Sequence, residues 1–337
     1  MGINLSANEN CYGCSPRVTE AVQKKIKDIS LYPDFNPLPL EEKLAGILSV
    51  TPGNIAIGAG SVRVIDGMIQ TFCNEEDEII TFERSFSAYG QLAVMHRKRC
   101  LFAQLKDWRC EVTNILPLLS KKNRLIFIAN PNNPTGTIIT HDELKFLLSR
   151  VKREVLVVVD EAYREYITSP DYPESLQLQK EFQNLVIVRT FSKVYGLAGL
   201  RIGYAIAHEK IIAELSKERV PYSLNCLAIP AALAALDDKK FISGSVKANT
   251  EQRTFLYEQL TRLGFNTIQS QANFVYLWFE SDREKEKTFD ILSKNGIHIC
   301  NLKIFGQDRS LRITVGDKEA NRSVIETLSQ ISIPENV

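Results

Sequence analysis

The sequence predicts an α/β fold in which a large domain has a mostly parallel central sheet and a smaller α+β domain follows. Three observations lead to this prediction. Short apolar runs alternate with helical patterns between residues 54 and 207. The run at residues 155–159 is continuously apolar, as expected of a strand that is covered on both faces of its sheet. After residue 223 the pattern changes to a long helical region and then to mixed strands and helices.

The composition is that of a globular protein and argues against several functional classes. The chain has 337 residues, of which 44% are hydrophobic and 24% charged. A net charge of +1 gives no electrostatic case for binding nucleic acid or an anionic membrane. No apolar run approaches the ~20 residues of a membrane span, and the N-terminus does not resemble a secretory signal.

The cysteine pattern favours reduced thiols, and hence a cytoplasmic protein. Seven cysteines are scattered along the chain, an odd number that does not suit a disulfide framework. Cys11 and Cys14 form a C-x-x-C motif, but no second pair lies nearby in the sequence. We therefore expect two residues of a loop here, and no metal site.

The first part of the chain predicts an arm and two helices. Residues 1–14 are polar and rich in turn formers, which is typical of an extended arm. Ser15 and Pro16 have the N-cap and first-turn preferences of a helix that runs to about residue 28. A second helix is expected at residues 40–48, after a Tyr-Pro-Asp turn.

The middle of the chain predicts the large sheet and the helices that cover it. The expected strands are residues 55–57, 78–82, 99–103, 124–129, 155–159, 185–188 and 201–207. The expected helices are residues 62–72, 86–95 and 142–151, the last with Thr140 as its cap.

The last third predicts the smaller domain. A helical region at residues 225–263 has expected breaks near Asp237 and Ser243. Strands at 274–279, 297–300 and 311–315 and helices at 284–294 and 318–331 follow. We expect an arm and helix (1–30) that pack with the small domain, a large domain (31–223) and the small domain itself (224–337).

A lysine between two predicted strands is the most informative residue. Lys193 lies in a glycine-punctuated turn between the apolar runs 185–188 and 202–206. Lysine is rarely buried without a partner, and an amine held in this way commonly forms a Schiff base with an aldehyde. Arg201 follows eight residues later and could anchor a phosphate. The pair suggests pyridoxal 5′-phosphate (PLP); the alternative is a surface lysine in an ordinary salt bridge.

Polar residues at three other strand ends agree with a bound cofactor, because ligands of open α/β sheets lie beyond the carboxyl ends of the strands. Gly60 and Ser61 open a helix and could seat a phosphate, although such turns are often glycine-rich for packing alone. Asn133, in the proline-rich run 130–136, could donate to a ring hydroxyl. Asp160 ends a buried strand and needs a cation, which the pyridine nitrogen of PLP would supply; otherwise it is a cap or part of a structural ion pair.

These motifs resemble those of the fold-type I PLP-dependent aminotransferases of class I/II, and most of all the histidinol-phosphate aminotransferase family. The resemblance extends from residues 5–10 to 311–316, and its most specific parts are residues 130–136, 160–163 and 192–201. It implies an enzyme of amino-acid biosynthesis that moves an amino group from an amino-acid-like donor to an oxo acceptor such as 2-oxoglutarate.

The resemblance also implies a role for each site residue. Lys193 carries PLP as a Schiff base and moves a proton at the substrate α-carbon, with Asp160 on the pyridine nitrogen. Arg312 binds the substrate α-carboxylate, a bidentate task suited to arginine. The remaining expected contacts are Asn133 and Tyr163 on the ring 3′-oxygen, Gly60, Ser61, Ser192 and Arg201 on the phosphate, Phe86 stacked on the ring, and Asn8 beside the substrate.

The resemblance further implies a homodimer with shared active sites. Tyr32 is similar to a tyrosine that reaches the cofactor phosphate of the other subunit in the family. An active site shared in this way makes the symmetric dimer obligatory.

The chain departs from the family where the substrate is expected to bind. Cys300 stands where family members typically have an arginine that is associated with the substrate phosphate. Residues 303–310 are also differently composed. Arg17, Lys303 or Arg309 could supply the cation instead.

Alternative functions follow from these departures and from the fold. The enzyme could be a related aminotransferase with an aromatic or pathway-specific substrate, or a PLP lyase similar to the threonine-phosphate decarboxylases. Residues 8–10 and Ser192 favour the aminotransferases. A PLP-binding regulatory module is disfavoured because no basic segment precedes the arm. A dinucleotide-binding dehydrogenase is disfavoured because the run 58–63 lacks the third glycine of its motif.

Overall fold

A computed structural model describes residues 2–34 and 36–331, which contain two main sheets and a short hairpin. The strands are β1 (Ile3–Leu5), β2 (Ile55–Gly58), β3 (Glu78–Phe82), β4 (Arg99–Ala103), β5 (Leu105–Lys106), β6 (Arg109–Cys110), β7 (Asn123–Ala129), β8 (Leu156–Asp160), β9 (Leu185–Thr190), β10 (Gly203–Ile206), β11 (Asn266–Ile268), β12 (Phe274–Trp278), β13 (Ile297–Asn301) and β14 (Ser310–Thr314). The helices are α1 (Pro16–Lys25), α2 (Leu38–Leu48), α3 (Ser61–Phe72), α4 (Ala88–Met95), α5 (His141–Arg150), α6 (Ser175–Glu181), α7 (Glu209–Lys217), α8 (Ala228–Asp237), α9 (Lys239–Arg262), α10 (Asp282–Lys294) and α11 (Lys318–Leu328).

The larger sheet confirms the prediction of a mostly parallel sheet. Its strand order is β2–β10–β9–β8–β7–β3–β4, and only β10 runs antiparallel to its neighbours. The central strands β8 and β9 are buried along their whole length, because helices and loops cover both faces of the sheet. The carboxyl ends of the parallel strands β7, β8 and β9 therefore meet at one end of this sheet.

The smaller sheet joins both ends of the chain. Its order is β1–β13–β14–β12–β11, and β1 pairs in parallel with β13, with Ile3 opposite Ile297. The sequence predicted an extended arm here but no strand, because three residues are too few to show a periodicity. The pairing anchors the arm beside β13, whose other neighbour, β14, carries Arg312.

Two helices near the expected domain boundaries pack into the core of the larger domain. Val18 of α1 belongs to this core, as do Ala228 and Ala232 of α8. The division after residue 223 stays a prediction, and this packing favours placing α8 with the larger domain.

Several elements differ from the sequence-based expectation. The break expected near Ser243 was wrong: α9 runs without interruption, because the Ser243 hydroxyl donates to the carbonyl of Lys240 instead of capping a new helix. The break near Asp237 was correct, and Asp238 caps α9 through the Phe241 amide. The β5–β6 hairpin, α6, α7 and β11 were not predicted.

The β5–β6 hairpin is a bridge between the two domains. Its turn residues Asp107 and Trp108 have φ values of 49° and 63°. The Trp108 ring lies 5.5 Å from the ring centroids of both Tyr276 and Trp278 in β12. The guanidinium of Arg84 lies 4.9 Å from the Trp108 ring on the other side of the interface.

The described residues lack two features, a membrane-spanning helix and a metal-binding cluster. None of the helices in residues 2–34 and 36–331 is long and apolar enough to cross a membrane. The same residues contain no cluster of three or more side chains suited to hold a metal ion.

Candidate active site

A cavity of about 330 Å³ lies at the carboxyl ends of the parallel strands, between the two sheets. It brings together most of the residues singled out in the sequence. Its lining includes Asn8, Ser61, Phe86, Asn133, Asp160, Tyr163, Ser192, Lys193, Arg201 and Arg312. Gly60 adjoins it through Ser61, whereas Tyr32 lies outside it.

Lys193 lies in the loop after β9 and is covered by the N-terminal arm. Its Nζ donates a hydrogen bond of 3.2 Å to the carbonyl of Ala7 and lies 5.6 Å from the ring centroid of Tyr163. The side chain is half-buried, and no carboxylate of the described residues forms a salt bridge with it. The amine is thus held in the cavity by neutral contacts that leave it available for chemistry.

Asp160, the last residue of β8, is a buried carboxylate at the floor of the cavity. One oxygen accepts from the Ala162 amide at 3.2 Å and the other from the Tyr89 hydroxyl at 3.0 Å. Burial raises the pKa of Asp160 to about 6, although these hydrogen bonds and the charge of Lys193 favour the ionised form. In the described part of the chain no cation pairs with it directly, so a cation bound in the cavity would relieve the cost of its burial.

The start of α3 forms a seat for an anion together with Arg201. Gly60 precedes the helix with φ 88°, and a Cβ at this position would come within 2.5 Å of Arg201 Nη2. Arg201 donates to Ser192 Oγ at 3.4 Å and to the Ala198 carbonyl at 2.9 Å. The unpaired amides and the dipole at the start of a 12-residue helix favour a phosphate next to this guanidinium.

The arm is tied to the cavity wall through Asn8. Its side chain donates to the Tyr163 hydroxyl at 3.0 Å, and its backbone amide donates to Thr314 Oγ1 at 2.9 Å. Asn8 is buried and adopts φ 56°, a left-handed conformation that asparagine tolerates better than most residues. These contacts connect the arm, the end of β8 and β14 in one network.

Arg312 is a buried guanidinium without an acidic partner among the described residues. Nη1 donates to Asn133 Oδ1 at 2.5 Å and Nη2 to the Ser6 carbonyl at 2.8 Å. Its Nε has no hydrogen-bond partner in the part of the chain that the structure describes, although the residue is only 7% exposed. A buried cation of this kind needs an anion, which a substrate carboxylate or phosphate would supply.

Cys300 lies next to Arg312 but not on the cavity surface. The two residues are opposite one another in the β13–β14 pairing. Cys300 packs with Tyr276 and Leu302, and its burial raises the pKa of the thiol. The position thus carries a neutral, buried group beside the guanidinium.

None of the three cations suggested as replacements lines the cavity. Arg17 donates to the Asp237 carbonyl, and Arg309 pairs with Asp282 at 3.2 Å. Lys303 is exposed, and within the described residues its backbone, not its ammonium group, makes the hydrogen bonds. The described lining therefore has three basic side chains, those of Lys193, Arg201 and Arg312.

The sequence did not identify several residues of the site. Tyr89 reaches Asp160 from α4, and no local pattern distinguishes it from a core tyrosine. Leu302, Phe305 and Gln307 form part of the wall on the small-domain side. The unusual composition of residues 303–310 was the available signal for two of these three.

Tyr32 is 85% exposed, and its ring centroid lies 4.9 Å from that of Tyr222. It is placed on the outer surface, where it could contact another molecule but not the cavity of its own chain.

Comparison with known proteins points to one family. The model for aminotransferase class I and II matches residues 1–328. The histidinol-phosphate aminotransferase of Moorella thermoacetica is 38% identical over 330 residues, which cover 98% of this chain and 85% of that protein. The structure of the histidinol-phosphate aminotransferase from Clostridium acetobutylicum has a TM-score of 0.88 at 26% identity, covering 98% of this chain and 99% of that one. The Sinorhizobium meliloti enzyme in complex with pyridoxal 5′-phosphate shares the fold, with a TM-score of 0.90 at 24% identity and coverage of 98% and 90%.

Proposed function

Because the chain belongs to the aminotransferase class I and II family, we propose that it transfers the amino group of L-histidinol phosphate to 2-oxoglutarate. The protein is a PLP-dependent aminotransferase of fold type I. The substrate is inferred from the names of its relatives, and the meeting of Lys193, Asp160 and Arg312 in one cavity is the observation that supports it.

The residues present fit PLP in three respects. Asp160, a buried carboxylate that has no direct ion-pair partner within residues 2–34 and 36–331, suits the pyridine nitrogen. The seat formed by Gly60, Ser61 and Arg201 suits the phosphate. The amine of Lys193 lies in the same cavity and suits the aldehyde.

We assign the remaining roles by position in the cavity. When bound, PLP supplies an electron sink for the bonds at the substrate α-carbon. Lys193 would move the proton at that carbon, and Asp160 would hold the cofactor nitrogen in its charged form. Asn133 and Tyr163 would fix the orientation of the ring, and Arg312 would clamp the anionic group of the substrate.

The arm would close the site against water. Ala7 contacts Lys193, and Ser6 accepts from Arg312, so both reactive ends of the cavity touch the arm. Excluding water protects the reacting carbon from side reactions and strengthens the charged contacts inside.

We further infer that the enzyme is a homodimer and works in the cytoplasm. Large apolar side chains at Ile29, Leu31 and Tyr32 are between 64% and 85% exposed, which is unusual for a monomer surface and suits a second copy of the chain. In such a dimer Tyr32 would reach the phosphate seat of its partner. The seven cysteines in the described residues form no disulfide, in keeping with a reducing compartment.

A second candidate function is the transamination of an aromatic amino acid. It is favoured by Cys300, which is neutral, and by the apolar wall residues Leu302 and Phe305. In this case Arg312 would bind the α-carboxylate.

A half-reaction panel on the PLP-loaded enzyme tests these functions. L-Histidinol phosphate, L-glutamate, L-phenylalanine, L-tyrosine and L-threonine O-phosphate are added separately, and conversion of the cofactor to pyridoxamine phosphate is followed by absorbance. Rapid conversion by L-histidinol phosphate supports the proposal. Conversion by other donors alone refutes it, and carbon dioxide release from L-threonine O-phosphate indicates a lyase.

The variant Lys193→Ala is the control for the chemistry. It should lose turnover and the absorbance of covalently held PLP, while the far-ultraviolet spectrum of the fold is retained. Normal turnover by this variant would exclude Lys193 as the catalytic amine.

A further inference from the structure

We propose that Gln307 is a specificity-determining residue, and that its amide donates a hydrogen bond to the side chain of a ring-bearing amino donor. The inference rests on the proposed function and deepens it. Gln307 lies on the cavity wall with Leu302 and Phe305, and the residue is only 5% exposed. A polar side chain buried in an otherwise apolar wall is expected to have a partner.

One end of the Gln307 amide is already fixed by the protein. The Tyr276 hydroxyl donates to Gln307 Oε1 at 3.3 Å and lies 2.6 Å from Ser310 Oγ, from which it can accept. Burial raises the pKa of Tyr276, so the hydroxyl keeps its proton and remains a donor. With the oxygen held in this way, the planar amide directs its NH₂ group away from Tyr276.

The NH₂ group of Gln307 has no acceptor among the residues that the structure describes. Its side chain lines the cavity, so the available acceptor is a molecule bound there. Because an amide nitrogen is neutral, it suits an uncharged acceptor better than a second phosphate or carboxylate, which would require a cation. An imidazole nitrogen or a phenol oxygen meets this requirement.

The position of Gln307 relative to Arg312 defines the part of the substrate that it would contact. Tyr276, which holds Gln307, is paired with Arg312 across β12 and β14. Residues paired in this way point to the same face of a sheet, and Ser310, two residues before Arg312, shares that face. A donor whose anionic group lies on Arg312 would thus extend its side chain along Leu302, Phe305 and Gln307. These contacts favour an aromatic or heteroaromatic ring that carries one acceptor atom.

The test compares two donors that differ by the acceptor atom alone. L-Tyrosine and L-phenylalanine share the ring, and only L-tyrosine has the phenol oxygen. The measured quantity is the ratio of their kcat/KM values in the PLP-loaded enzyme. Gln307→Leu should lower the tyrosine-to-phenylalanine ratio about tenfold, which is the loss expected for one hydrogen bond in a closed site.

Tyr276→Phe tests the positioning role. It leaves the Gln307 amide in place but removes the hydroxyl that orients it, so the ratio should fall by a smaller factor. The double variant should match Gln307→Leu alone, because both changes act through the same hydrogen bond. Asp308→Leu, an exposed residue of the same loop, is the matched control and should leave the ratio unchanged.

The outcomes separate this inference from the proposed function. An unchanged ratio in Gln307→Leu overturns the inference, as does a wild-type enzyme that reacts with L-glutamate but with no ring-bearing donor. A wild-type enzyme that fails with L-histidinol phosphate, while the ratio still depends on Gln307, overturns the proposed substrate and supports the inference.

Discussion

Asp160 is 5% exposed, and its pKa is raised from 3.8 to about 6 by burial. Below about pH 3.8 the group is protonated in both the folded and the unfolded chain, so it does not affect stability. Between these two values the folded protein holds more protons than the unfolded chain, and stability falls as the pH rises. Above about pH 6 the full destabilisation is present, until a bound cation relieves it.

Asp160→Asn should therefore stabilise the cofactor-free protein at neutral pH while it impairs the enzyme. We expect the substitution to raise the free energy of unfolding by roughly 2–3 kcal/mol more at pH 7.5 than at pH 4. Urea unfolding at both pH values measures it. Asp290→Asn, at an exposed site, is the control. A gain that is the same at both pH values would contradict the pKa argument.

Arg312→Lys should weaken substrate binding far more than cofactor binding. Lysine cannot reproduce the two-nitrogen geometry that holds an anion while contacting Asn133 and Ser6. We expect KM for the amino donor to rise at least about tenfold, with a Kd for PLP within about threefold of wild type. Arg309→Lys is the matched control on the surface. An equal loss of cofactor and substrate affinity would show that Arg312 is misassigned.

At the scale of single residues, the sequence identified those site residues that closely follow a predicted strand. Lys193, Asp160 and Asn133 each follow an apolar run, and strand ends of a parallel sheet converge. Tyr89 and Gln307 were not identifiable, because their contacts join segments separated by 71 and 31 residues. Such contacts exist only once the tertiary structure has formed.

At the scale of elements, the β5–β6 hairpin is the clearest case of tertiary contacts prevailing over local preference. Its turn residues have positive φ values, which usually favour asparagine, aspartate or glycine. Asp107 suits the first position, but Trp108 does not suit the second. Packing of Trp108 on Tyr276 and Trp278 compensates for this backbone conformation. A search for turn formers therefore misses the hairpin, whereas the apolar runs reveal β7, β8 and β9.

Trp108→Ala should destabilise the protein by about 2–3 kcal/mol, because it removes aromatic packing and a cation–π contact between the domains. Thermal unfolding of the PLP-loaded enzyme measures the effect. Phe102→Ala is the comparison, since that ring on the edge strand β4 is 54% exposed and its loss should cost less than about 1 kcal/mol. Similar shifts in both variants would mean that the hairpin does not hold the domains together.

At the scale of the whole molecule, the sequence predicted a larger α/β domain followed by a smaller α+β domain. It was less informative about which helices pack with which domain. Alternating apolar runs indicate the larger sheet because buried parallel strands need no polar face. Helix α8 packs against the core of the larger domain, although the predicted boundary at residue 223 precedes it. The composition of the sequence does not show to which domain this helix belongs. The pairing of β1 with β13 depends on contacts across almost the entire chain.

The proposed dimer, in which Tyr32 completes the partner's site, predicts how mixtures of two variants behave. Lys193→Ala lacks the amine, and Tyr32→Ala would lack the residue donated to the partner. Refolded together, they should form mixed dimers with one intact site, which regain up to about a quarter of wild-type activity. Sizing chromatography checks the dimer. Activity equal to the mean of the two separate variants would show that Tyr32 acts within its own subunit or not at all.

The joining of both chain ends at the cavity has a consequence for biosynthesis. Asn8 is held by Thr314, 306 residues away, and β1 needs β13 as its neighbour. A ribosome makes Asn8 306 residues before Thr314, so the nascent chain carries an unanchored arm until β14 has been synthesised. The seven strands of the larger sheet all precede residue 207 and so are synthesised well before β13 and β14. The arm can cover Lys193 only after β14 has left the ribosome, because Thr314 of that strand holds Asn8.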